Sequence, residues 1–333
     1  MDWSKGFSGS YYATIVDRLT WKDTNKFDIT NGSVTRSDSS LIESANVSTR
    51  YVIENEQWIR VYMDTRQNGE TDHVALFTGL AVPPRTDING NITSYDLDCY
   101  SVLKPAEDVL LERGYYVPEG MNGDEIITKL LAVTPAPVVV DDYAPALSNT
   151  IIAEDNESNL SMVMKILQAI NRRLRIDGDG TIHIAQKATE AVVTFSALDN
   201  DSIEPQITLT HDWFDCPNVF RAISDDLTAI ARDERPDSFL SIPVRGREVW
   251  AEETGCNLSD SEGIAEYAER RLKEEQSRAY EVSYTRRYHP EITIGDLVGI
   301  AYPKQGLNGI YKVTAQSIEI GSGCRTGEQV EYW

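Results

Sequence analysis

The 333-residue sequence has no apolar run near the roughly 18–20 residues that cross a bilayer. Its longest candidate, around Lys129 to Val140, is broken by Pro135 and Pro137. The opening MDWSKGFSGS carries no basic segment followed by an apolar stretch, so neither a secretory signal nor a membrane anchor is expected, and the chain reads as made in the cytoplasm. Cysteine is scarce. Cys99, Cys216, Cys256 and Cys324 lie far apart without CxxC spacing, which favours reduced, partly buried thiols over a zinc site or a disulfide framework. The four histidines are equally scattered, so no metal site is expected. Basic residues are also few: 31 against 53 acids give a net charge of −22. A chain without clustered Lys and Arg does not bind duplex DNA or anionic lipid by counterion release. Its charge gives solubility, or a surface that nucleic acid passes without sticking.

Catalytic signatures are missing as well. There is no G-x-S-x-G elbow and no G-x-x-x-x-G-K-[ST] phosphate loop. Carboxylate pairs such as Asp141/Asp142, Asp225/Asp226 and Glu252/Glu253 are what any chain with 53 acids must show. Asp177-Gly-Asp179-Gly180 starts like a calcium loop, but position five is Thr181 and position twelve is Ala188, so it reads as a hairpin turn. Ser8–Tyr12 and the six tryptophans could form a carbohydrate-stacking surface, yet Trp21, Trp58 and Trp213 read first as packing residues. No catalytic residue, cofactor or metal is expected.

What is present is β texture. Tyr12–Val16, Val47–Ile53, Gln57–Met63, His73–Phe77 and Thr93–Tyr100 read as short strands. The dipeptides Asn31-Gly32, Asn68-Gly69 and Asn89-Gly90 read as turns between them. Together they predict a small barrel over residues 1–104. From 105 to about 200 the pattern becomes α+β. Short helices are expected at Pro105–Gly114 and Asp124–Leu131, then a proline-bearing exposed loop over about 133–157. A helix striped by Leu160, Val163, Leu167, Ile170 and Leu174 follows, leading into a hairpin around the Gly-Asp-Gly turn. Residues 201–333 return to β as a second barrel-like domain, interrupted by a helix at about 259–279. That helix has a capping box at Ser259/Glu262, a stripe of Ile264, Ala268 and Leu272, and the pairs Glu266/Arg270, Glu269/Lys273 and Glu274/Arg278. The fold class is α+β, mostly β: two small barrel-like domains with an α+β insert.

The last block is the most specific. Tyr288-His-Pro-Glu-Ile-Thr-Ile-Gly-Asp-Leu-Val-Gly-Ile300 holds Ile294, Gly295, Asp296 and Val298. Gly306-Leu-Asn-Gly-Ile-Tyr-Lys-Val-Thr314, holding Gly309, Tyr311 and Val313, follows, and then Ile318-Glu-Ile320. This stretch resembles the C-terminal region of phage baseplate hub proteins. That family includes the XkdQ-like hubs of Gram-positive prophages and shares its fold with hubs of contractile tails and type VI secretion. The opening, Asp2-Trp3-Ser4 followed by Tyr12 through Leu19, is similar to the start of such proteins, as is the helix leading into Leu174-Arg-Ile-Asp-Gly-Asp-Gly-Thr-Ile. The resemblance implies two related barrels per chain and a homotrimeric ring of pseudo-sixfold symmetry. Such a ring sits in the virion at the tail tip, between distal tail or tube proteins and a tip or spike protein. DNA passes its acidic channel without specific binding. The alternatives are a receptor- or glycan-binding tail module, identified by glycan or cell-wall binding, and a hydrolase, identified by loss of activity on changing one acid.

Overall fold

A computed structural model describes residues 1–333 except 39–40, 91, 143–145, 197–202, 212, 225–226, 257–260 and 322. In the first block, alternation builds a closed barrel from β1 (Ser8–Val16), β2 (Asp23–Ser37), β3 (Glu43–Thr49), β4 (Gln57–Gln67), β5 (Glu70–Asn89) and β6 (Ile92–Ser101). The strands run in the order β1-β4-β5-β6-β3-β2, and β2 pairs back with β1, so this barrel has no open edge. In β4, Ile59, Val61 and Met63 point into the core and are fully buried. The opposite face of the same strand is covered rather than solvated: Arg60 is buried there, and Trp58 packs against the insert.

Two of the three expected turns are hairpin tips. Asn68 (φ +51°) and Gly69 (φ +90°) join β4 to β5, and Gly90 (φ +62°) joins β5 to β6. Asn31-Gly32 is instead internal to β2, beside a register shift between Ile29 and Asn31. Glycine is needed there because a Cβ at position 32 would lie 2.4 Å from the Asn46 carbonyl oxygen.

The insert comprises α1 (Lys104–Asp108), β7 (Tyr116–Val117), α2 (Gly123–Leu131), β8 (Val138–Val140), β9 (Ile151–Ile152), α3 (Asn159–Ala169), β10 (Arg172–Ile176) and β11 (Ile182–Gln186). Asn122 caps α2 by accepting from Asp124 N and Glu125 N, and Ser158 caps α3 by accepting from Ser161 N. The α3 stripe Leu160, Val163, Leu167 and Ile170 faces a shared core. Leu174, expected on that helix, lies in β10, because Asn171 takes a left-handed φ of +53° and ends the helix first. The segment expected as an exposed loop is more ordered. Leu147 and Ile151 are buried, and Val138–Val140 pairs in parallel with β11.

The rest of the chain forms β12 (Ala191–Ser196), β13 (Ile203–His211), β14 (Val219–Ser224), β15 (Leu227–Arg232), α4 (Ile242–Arg245), β16 (Trp250–Thr254), α5 (Ser261–Ser277), β17 (Tyr280–Arg287), β18 (Leu297–Tyr302), β19 (Leu307–Ile320) and β20 (Arg325–Tyr332). The second barrel has the order β12-β18-β19-β20-β17-β13, with no β12–β13 pairing among the described residues. Strand β12, assigned by sequence to the insert, belongs here: it runs parallel to β18 and puts Phe195 into this core. Its partner lies about a hundred residues downstream, so no local pattern marks it.

The interruption of this barrel is larger than one helix. β14, β15 and β16 form their own sheet, against which α5 packs Ile264, Ala268 and Leu272 over Phe220, Ala222 and Ala231. The expected capping residue Ser259 and the pair Asp225/Asp226 lie outside the described residues. The three expected i,i+4 pairs are not among the ion pairs the described residues form. Instead Arg271 reaches Glu253, Glu274 and Glu275, because Glu253 on β16 draws it inward.

The two barrels share one continuous sheet. β19 pairs with β18 and β20, and its distal half, Ala315–Ile320, pairs with Ser37–Gly32 of β2. Ile318 and Ile320 thereby enter the core of the first barrel.

Candidate functional site

Of the residues singled out by sequence, Ile294, Gly295 and Asp296 lie at the seam where the insert meets the second barrel. Gly295 has φ +80° and donates its N–H to Val313 O at 2.8 Å, while Val313 N donates to Asp296 O at 2.9 Å. The Asp296 carboxylate is buried. It accepts from Thr293 N at 2.9 Å and from Arg173 Nη2 of β10 at 2.6 Å. Arg173 Nη1 also donates to Ile294 O at 2.9 Å. A Cβ on Gly295 would lie 2.6 Å from that Nη1, so a larger residue would strain the left-handed backbone and push the guanidinium off its partners. The Ile-Gly-Asp turn therefore starts β18 and also holds the insert. Ile294, Val298, Tyr311 and Val313 fill the second barrel core beside it. Gly309 leaves room for the Tyr332 ring, 2.9 Å from where its Cβ would stand, whereas Gly306 (φ +76°) faces open space.

These two contexts predict different costs. Gly306→Ala loses about 1 kcal/mol from left-handed backbone alone. Gly295→Ala adds displacement of Arg173, and we expect about 2 kcal/mol in urea unfolding. Equal losses for the two variants would contradict the clasp.

Arg173 has no local sequence signal, since its partner is 123 positions away. The other end of the same hairpin docks on the first barrel. Thr78 Oγ1 donates to Gly178 O at 2.8 Å, and Asp179 O accepts from Arg60 Nη2 at 2.8 Å and Trp21 Nε1 at 3.1 Å. Asp179 Oδ1 caps its own turn by accepting from Thr181 N. The β10–β11 hairpin thus spans the seam, held to one barrel at its tip and to the other at its base.

Beneath it runs a buried polar chain. Arg286 and Glu328 form a two-pronged pair, with Nη2–Oε1 at 2.6 Å and Nε–Oε2 at 2.8 Å. Tyr284 Oη and Gln316 Nε2 complete the carboxylate at 2.6 and 2.7 Å. Burial alone would raise the Glu328 carboxyl; Arg286 and the two other donors outweigh it and hold it below the usual range. Gln316 also accepts from Arg36 Nη1 at 3.5 Å, and Arg36 donates to Leu76 O and pairs with Glu43 Oε2 at 3.3 Å. The chain thus crosses from the second barrel into the first.

At its far end the balance reverses. Burial pushes the Glu43 carboxyl up to about 7, against Arg36 and with help from the Asp177 charge. Its Oε1 meets no donor among the described residues. A carboxyl raised in the folded state contributes stability that is full below about pH 4.5 and lost as pH rises through about 7. Wild type should therefore lose up to about 3 kcal/mol across that window that Glu43→Gln does not lose. Parallel unfolding free energies against pH for the two proteins would contradict this.

His183 is held between Asp141 (2.7 Å) and Asp177 (3.2 Å), and Asp177 is paired again by Arg175. Cys99, Cys216 and Cys324 are buried, and burial pushes the Cys324 thiol up to about 12. Among the described residues no three His, Cys, Asp or Glu side chains converge as a metal site. Trp21 and Trp58 pack ring to ring at 5.5 Å, while Trp213 is partly exposed beside Phe239.

Comparison with solved structures places this architecture. A tail protein from Neisseria meningitidis matches with a TM-score of 0.72 at 15% identity, covering 98% of this chain and 97% of that one. The 43 kDa tail protein of prophage MuSo2 from Shewanella oneidensis matches with a TM-score of 0.70 at 13% identity, covering 97% of both chains. The chain has the tail-hub fold. A prophage tail protein from Listeria monocytogenes shares it more distantly, with a TM-score of 0.53 at 11% identity over 98% of this chain and 94% of that one. So does an Escherichia coli type VI secretion component, with a TM-score of 0.53 at 7% identity over 92% of this chain and 74% of that one. No protein-family model and no curated protein matches the sequence. The tail-hub fold thus persists where sequence identity is too low to carry a role residue by residue.

Proposed function

We propose that the chain is a structural component of a phage tail, the hub at the tip of the tail tube, acting by assembly without a catalytic residue. The observation that carries this reading is the fused barrel pair. A closed six-stranded barrel and a second, barrel-like set of six strands are joined along β2–β19 and bridged by one hairpin. Three such units in a closed ring present six barrels, which meets a sixfold tube on one side and a threefold tip or spike on the other. The likeness to tail proteins along nearly the whole chain supports the same role. A net charge of −22 suits a channel through which DNA slides without binding. Acid-to-amide replacements at lumen-facing positions should slow genome ejection, and unchanged ejection rates would contradict that part.

The role is tested by antibody labelling of tails in the electron microscope. Label confined to the distal end of the tube supports the hub. Label on lateral fibres, together with glycan or cell-wall binding by the isolated chain, would replace it with a receptor-binding module.

A further inference from the structure

The insert, α5, the C-terminal strand and the edge of the first barrel converge on a cleft of about 1290 Å³. In an acidic protein this cleft is basic: ten of its lining residues are Lys or Arg and four are Asp or Glu. With 31 basic and 53 acidic residues in total, the rest of the chain keeps 21 against 49, a net −28. Seven of the ten cations already hold a carboxylate of this chain, as Lys187 does with Glu274 and Lys312 with Asp38.

Two neighbours on α5 do not. Arg270 and Lys273 form no ion pair among the described residues and lie only over aromatic faces, of Tyr267 at 5.2 Å and Trp333 at 5.4 Å. Burial holds the Lys187 ammonium below its usual range; Glu274 opposes the shift, and Arg270 and Lys312 add smaller contributions to it. Tyr332 and Trp333, both partly exposed, supply aromatic anchor surface at the rim.

A cleft with two cations outside any ion pair and with exposed aromatic rings, on a chain whose remaining residues are strongly acidic, is complementary to another copy of itself. Repeated head to tail, a contact between two different patches is heterologous and generates a ring where its rotation closes. We propose that this cleft receives an acidic surface segment of a second copy of the chain, with Arg270 and Lys273 pairing its carboxylates. The inference rests on the ring-forming hub reading and names the surface that reading needs. A nucleic acid is the weaker occupant. Most of the cleft's cations are already paired, and the rest of the chain, net −28, repels a polyanion.

The test mixes ¹⁴N- and ¹⁵N-labelled full-length protein at high concentration, applies a zero-length carbodiimide cross-linker, and follows assembly by native mass spectrometry. We expect mixed-isotope cross-links from Lys273 to Asp or Glu of the other copy. Arg270→Glu/Lys273→Glu should weaken association on the order of tenfold or more, with loss in high salt. Both positions lie outside the α5 core stripe, so an unchanged melting temperature checks that the variant folds, and Arg270→Gln/Lys273→Gln should show a smaller loss.

Cross-links confined to single chains, wild-type association by the charge-reversed variant, or monomers at every concentration overturn the proposal. So does protection of Lys273 by labelled single-stranded DNA. Threefold particles that still form from the charge-reversed variant would remove this cleft while leaving the hub reading intact. Tails that lack the protein at their tip would remove the hub reading itself.

Discussion

Replacing Arg286 by methionine should cost about 3–5 kcal/mol, because it leaves Glu328 charged at a fully buried position without its cation. Both side chains are essentially inaccessible, and Arg286 supplies two of the four donors on that carboxylate. Tyr284 and Gln316 supply the others and cannot neutralise it. The double replacement Arg286→Met/Glu328→Met removes the stranded charge and should cost less than the single change. The pH dependence gives a second check. In wild type Glu328 is held low, so its contribution is present above about pH 4.5 and fades as pH falls. In Arg286→Met the carboxyl rises instead, so the variant's deficit is greatest at high pH and shrinks on acidification. Urea unfolding at pH 5 and pH 8 measures both, and a single-variant loss under about 1 kcal/mol would refute the account of this pair.

The second large effect is expected at Gly178. A Cβ there would lie 1.9 Å from the Ala75 carbonyl oxygen, a backbone atom of β5 inside a closed barrel that cannot move aside. Gly178→Val must therefore lift the hairpin tip, losing the bonds from Thr78, Arg60 and Trp21. Steric strain and three hydrogen bonds together amount to about 4 kcal/mol. Hydrogen exchange should rise in β10, β11 and the facing part of β5, while β14–β16 stay protected. Protection unchanged in the hairpin would mean that the tip does not anchor the insert. Gly69→Ala is the control: it has open space around it and should show only the backbone cost of φ +90°.

The sequence disclosed these features unevenly, for physical reasons. Period-two alternation over β1, β4 and β6 and the Asn68-Gly69 turn marked the first barrel, because a closed antiparallel barrel is built from local hairpins. β2 was hidden by Asn31-Gly32, whose glycine serves a close strand crossing rather than a turn. Helices α2, α3 and α5 were legible from their apolar stripes. Strand β12 and the β14–β16 parallel pairing were not, since parallel partners sit far apart in sequence.

The motif residues Ile294, Gly295 and Asp296 showed as a strand start. Their second role needed Arg173, whose position just beyond a helix end looks like ordinary surface charge until the chain is folded. Arg36, Glu43, Arg286, Gln316 and Glu328 were invisible for a similar reason. Buried polar residues break the hydrophobic pattern that marks a core, and only tertiary contact shows them paired.

In the proposed role, each chain carries a fused pair of barrels and three chains close into a ring. Electron microscopy of the purified protein at high concentration, sorted by particle symmetry and repeated on whole tails, tests it most directly. The account predicts threefold rings of six barrels around an open, acid-lined centre. Compact dimers or tetramers without a channel, in either sample, would contradict it.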